Sequence, residues 1–139
     1  MYTTSSDQLQ LALREAREAA FDVHGALLEA TRREYERDFG RVPDAATLLK
    51  VVTSEPAFAW LRPLTAAIAD ADALLADPDA MPAGHAKVLL TAIHDLLRAD
   101  QEGTAHQRRY CAVVQASPDV AVVHGRAQRS LRIGPVSWM

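Results

Sequence analysis

An all-α helical bundle of five to six helices, with one long N-terminal helix and a proline-kinked central helix, is the fold class this sequence predicts. Three observations predict it. Apolar residues recur at alternating spacings of three and four, alanine and leucine dominate while β-branched residues are scattered, and Ser, Thr, Asp, Gly and Pro stand where helices should start and stop. With 139 residues, 49% hydrophobic and 24% charged, the chain suits a single helical-bundle domain over 1–139 with a real core.

The first element is the clearest. Ser5 and Gln8 stand in capping-box relation, and small or apolar residues follow at Leu9, Leu13, Ala16, Ala20, Val23, Leu27 and Ala30. Gly40 suits a left-handed terminator. The spacing predicts a helix from Ser6 to Asp38, about 50 Å long at the α-helical rise. A compact globule of this size is only about 37 Å across. The helix must overhang, kink, or lie along an elongated bundle, and an overhanging seam wants a partner. Leu13, Ala20, Val23 and Leu27 are therefore interface candidates.

Asp44 is placed to cap a short helix over Ala45–Val52. Ser54 is placed to cap the next, with Pro56 tolerated in its first turn and Phe58, Leu61, Leu64, Ile68, Ala71 and Leu75 on one face. Pro63 lies deeper, deletes an amide donor and crowds the Ala59 carbonyl, so a kink is expected near Trp60. A helix over Ala83–Asp100 ends before Gly103. Thr104 and Gln107 then form a second capping-box pattern, and Ser117-Pro118-Asp119 starts a last helix whose face carries Val120, Val123, Ala127 and Leu131.

The net charge of −3 is unevenly spread: residues 1–103 carry 10 basic and 17 acidic side chains, and residues 104–139 five arginines against Asp119. Such asymmetry marks either a nucleic-acid surface or one end of a bundle docking on the other, and the second reading is preferred. Arg126, Arg129 and Arg132 fan across the outer face of the last helix and are the nucleic-acid candidates. No aromatic platform accompanies them, and a pI of about 5.9 is low for such a domain. Nucleic-acid binding is therefore not expected.

No Glu-x-x-His or His-x-x-x-His pair occurs, so a metal would need His24, His94 and His124 to converge from three helices. The competing reading is histidines that hydrogen-bond to a neighbouring helix, and it is preferred. His106 falls in a helical first turn, where the dipole disfavours the imidazolium form. Cys111 is a lone cysteine, which fits a reducing cytoplasm. Phosphate-cradling glycine motifs and G-x-S-x-G are missing, no catalytic residues can be named, and no cofactor is expected. The N-terminus lacks the basic-then-apolar order of a signal peptide, and no apolar run approaches a membrane span of about 20 residues.

The corner SEPAFAWLRPL, residues 54–64, is the most unusual stretch. Trp60 and Arg62 are of the types that anchor interfaces; alternatively, Phe58 and Leu61 enter the core while the prolines shape the turn. The run PAFAWLRPL with ADADALL, and the later RRYCAVVQASPDVAVVHGRAQRSL, resemble a family of small uncharacterised bacterial all-helical proteins. The resemblance covers the chain from Tyr35 onward and implies a bacterial source. It singles out Trp60, Arg62, Tyr110 and His124 without giving them a role. These features together lead to the expectation of a non-enzymatic, cytoplasmic interaction module that forms a homodimer through the first helix and the Trp60 corner. A ligand- or metal-binding bundle is the alternative.

Overall fold

The computed structural model describes the backbone of residues 2–133 and the side chains of residues 7–131. Six α-helices run in order: α1 (Tyr2–Phe39), α2 (Ala45–Ser54), α3 (Arg62–Leu75), α4 (Ala83–Leu96), α5 (Ala105–Ala116) and α6 (Pro118–Ile133). Short 3-10 segments, Pro56–Leu61 and Pro78–Ala80, join α2 to α3 and α3 to α4. No strand occurs among the described residues. The all-α class with its long first helix and kinked central helix is what the sequence predicted.

The 38-residue α1 is the hub, packing against α3, α4, α6 and the first 3-10 segment. Its side chains from Leu9 to Thr31 supply nine buried positions, five of them alanine or threonine. Small residues let three helices approach its axis closely. This stretch spans about 33 Å at the helical rise, the width of the globule. Length is thus accommodated by wrapping rather than by pairing: Leu13, Ala20 and Leu27 are 0% exposed and Val23 is 1% exposed within one chain. These four residues are core, and their expected interface role is corrected accordingly.

Other boundaries shift for local reasons. The backbone of α1 begins at Tyr2, upstream of the expected start, while the Ser5 side chain lies outside the described residues. Gly40 ends the helix at φ 93° with its amide on the Glu36 carbonyl, as expected. Asp44 caps α2 by accepting the Thr47 amide at 2.7 Å. Ser54 does not cap the following segment; it is the last residue of α2, and its hydroxyl donates to the Lys50 carbonyl. The expected kink near Trp60 is the change from 3-10 to α geometry at Arg62, which leaves Pro63 in the first turn of α3, where a missing donor costs nothing.

The α4 helix stops at Leu96, four residues short of expectation, because other helices take its last carbonyls. Gln107 Nε2 donates to Asp95 O at 2.8 Å, His106 Nε2 lies 2.9 Å from Leu96 O, and Gln128 Nε2 donates to Leu97 O at 2.9 Å. With its C-terminal acceptors satisfied from α5 and α6, the chain can leave the helical path at Leu97, which is itself fully buried.

Candidate functional site

Trp60, Tyr110 and His124 lie far apart in sequence and meet in space through His106. Ring centroids are 5.6 Å apart for Trp60–His106, 6.4 Å for His106–Tyr110 and 5.2 Å for Tyr110–His124. The capping box at the start of α5, with Thr104 accepting the Gln107 amide, sets the register that aims His106 and Tyr110, one turn apart, into this layer. The imidazole of His106 also faces the Trp60 carbonyl with Nδ1, at 3.2 Å. Two backbone carbonyls thus face the two ring nitrogens, contacts that no local pattern in the sequence foretells.

Tyr110 is fully buried, and its hydroxyl bonds to His124 Nδ1. A buried phenol with this one partner must donate, or its proton goes unpaired. His124 then accepts at Nδ1 and carries its own proton at Nε2. Burial pushes the Tyr110 hydroxyl up and the His124 imidazole down, so both groups stay neutral at pH 7.

The three candidate histidines do not converge. His24 reaches from α1 to Thr65 Oγ1 on α3, at 2.9 Å. Thr65 donates its own proton to the Leu61 carbonyl, which makes His24 the donor. His94 and His124 both line a cavity of about 300 Å³ between α4 and α6, together with Arg98, Ala99, Gln128 and Leu131. Among the described residues no three His, Cys, Asp or Glu side chains group as metal ligands. The three-histidine metal site is corrected to two histidines in one cavity and a third in a helix-to-helix bond.

Trp60 and Arg62 are engaged within the chain. The Arg109 guanidinium lies 5.4 Å from the Trp60 ring centroid and also pairs with Glu34 at 2.7 Å. The indole Nε1 is buried without a hydrogen-bond partner among the described residues. Arg62 is exposed and donates to the Thr53 carbonyl, tying the start of α3 to the end of α2.

A second concave surface runs along α1 and α6. This groove of about 580 Å³ has Ala19, Gly25, Ala26, Val123 and Ala127 along its floor, and Phe21 at its lip, 54% exposed. Glu15, Glu18 and Asp22 line the α1 wall, and Arg126 stands on the α6 wall. A phosphate backbone laid beside Arg126 would meet three carboxylates. The Arg129 guanidinium lies back over Gly125 on its own helix, and the Arg132 side chain is outside the described residues. Of the C-terminal arginines, Arg109 pairs with Glu34 of α1 and Arg126 faces the α1 carboxylates across the groove, while Asp119 of α6 pairs the other way round with Arg33 of α1. This is the docking reading of the charge asymmetry.

Sequence reasoning missed the groove because periodicity gives the faces of single helices and not the spaces between two of them. Among the described residues no helix is long and apolar enough to cross a membrane. No family model, curated protein or solved structure matches this chain.

Proposed function

We propose that this protein is a non-enzymatic helical interaction module of the bacterial cytoplasm whose docking surface is the α1–α6 groove. One observation carries the reading: an apolar trough lipped by Phe21, which is 54% exposed, stands open beside a row of carboxylates. Exposed aromatic area beside a groove of small residues is the form of site into which an amphipathic helix lays its apolar face. Glu15, Glu18 and Asp22 against Arg126 make the walls net acidic, so the occupant is a helix with lysines or arginines flanking its apolar stripe. A homodimer through the α1 seam is not part of this reading, since the seam is core. A second copy at the groove would set its acid-rich wall against itself.

The test uses two synthetic helices of about 18 residues, or five turns, each with leucines on one face and either lysines or glutamates elsewhere. Amide resonances of Gly25, Ala26, Val123 and Ala127 should shift on adding the lysine peptide and not the glutamate peptide. The shifts should vanish in Phe21→Ser combined with Asp22→Lys. Equal responses to both peptides, or none, would overturn the reading. Light scattering runs in parallel: a dimer that Phe21→Ser disperses would replace the basic helix with a second copy.

A further inference from the structure

The α4–α6 cavity is separate from the groove and rests on different residues. His94 is in the last turn of α4 and Arg98 follows just beyond the end of that helix, while His124 and Gln128 are one turn apart on α6. Spacing of four puts the α6 pair on one helix face, and all four side chains line the cavity. Every polar side chain of the four bears N–H groups. Arg98 has donors only, and its guanidinium is permanently charged. The bond from Tyr110 to Nδ1 of His124 leaves Nε2 as that ring's N–H. Gln128 spends one amide proton on the Leu97 carbonyl and keeps the other.

Carboxylates are missing from the lining, in a chain of net charge −3. Asp95 pairs with Arg98 at 3.8 Å, and both side chains are more than half exposed. So loose and solvated a pair leaves the guanidinium available. The imidazoles contribute as neutral donors, since burial lowers both His94 and His124. One fixed positive charge and several N–H groups around a small volume match a small anion with several acceptor oxygens.

We propose that this cavity binds a small oxyanion, the carboxylate or phosphate group of a polar metabolite. Arg98 supplies the charge, while His124 Nε2–H and the free Gln128 N–H fix orientation. Tyr110 is a positioning residue, acting through the tautomer of His124.

The experiment titrates isotope-labelled protein at neutral pH with sodium phosphate, sodium acetate and sodium chloride at matched ionic strength. The ring resonances of His94 and His124 and the Arg98 side chain are followed. Saturable shifts at all three groups with phosphate or acetate, and not with chloride, are expected, and the better anion identifies the source. Arg98→Gln should weaken that binding about tenfold, the loss of one charge-assisted contact. Lys87→Gln, which removes an exposed cation on α4 outside the cavity lining, should leave it unchanged. Tyr110→Phe should weaken binding and change the His124 nitrogen shifts from one fixed tautomer to a mixture. Shifts that follow ionic strength alone, or an Arg98→Gln titration equal to the parent, would overturn the proposal.

Discussion

Gln107 donates its side-chain amide to the carbonyl of Asp95 at 2.8 Å, across the corner where α4 gives way to α5. The same side chain accepts the Thr104 amide through Oε1 at 3.0 Å. One buried glutamine thus closes two helix ends, the last turn of α4 and the first of α5. Gln107→Ala should lower stability by about 1–3 kcal/mol, because it leaves the Thr104 amide unpaired and leaves the Asp95 carbonyl to backbone amides such as that of Arg98. A Cβ at Gly103 would collide with Gln107 Oε1, so Gly103→Ala should expel the same side chain. The two substitutions together should then cost less than the sum of each alone. Additive losses in denaturant titrations would show that the glycine acts elsewhere.

The α1 seam is core rather than interface, which predicts the type of damage its variants suffer. Leu13→Ala should cost about 2–5 kcal/mol, the range for a fully buried leucine. Val23→Asp, which buries an unpaired carboxylate, should prevent folding under ordinary conditions. Light scattering on Leu13→Ala should give the parent's oligomeric state with a lower Tm. A changed mass at unchanged Tm would restore the seam as a contact between chains.

Trp60 presents an opposite case. Its ring is packed against His106 and Arg109, while its indole N–H is buried without a partner. Trp60→Phe keeps an aromatic ring and removes the unpaired donor, so it should cost less than about 1 kcal/mol. Trp60→Ala should cost about 3–5 kcal/mol through lost packing. Equal, large losses in both would reveal a hydrogen bond to the indole.

Burial holds His24, His94 and His124 below the ordinary imidazole value of 6.5; for His94 it outweighs the opposing pull of Asp95. In the unfolded chain these rings take protons near 6.5, and in the folded chain only at lower pH. Between those values the unfolded state holds more protons, so stability rises with pH. It should be complete above 6.5 and decline as pH falls through the window below. Thermal melts between about pH 7.5 and pH 5 should show this slope, and His24→Gln, which keeps a donor for Thr65, should flatten it. A parent whose Tm does not change over that range would contradict the burial of these rings.

The sequence by itself determined everything whose cause lies within about four residues. Asp44 and Thr104 cap because a side-chain oxygen can reach an amide three positions on, Pro118 begins α6 because its φ is already helical, and Gly40 ends α1 because a left-handed φ costs it little. The buried stripe from Leu9 to Leu27 was legible for the same reason, as a local period. What covers that stripe was not. Length alone suggested a second chain; the tertiary structure supplies α3, α4 and α6 instead, since the alanines let three helices close around one axis. The end of α4 depended on Gln107, His106 and Gln128, which arrive from 12 to 31 residues away or, for His106, from 10. The cavity that His94 and His124 share, and the parting of His24 from both, likewise depended on how helices pack. Hydrophobic spacing fixes which face turns inward, but the partner met there is chosen by the fit of side chains distant in the chain.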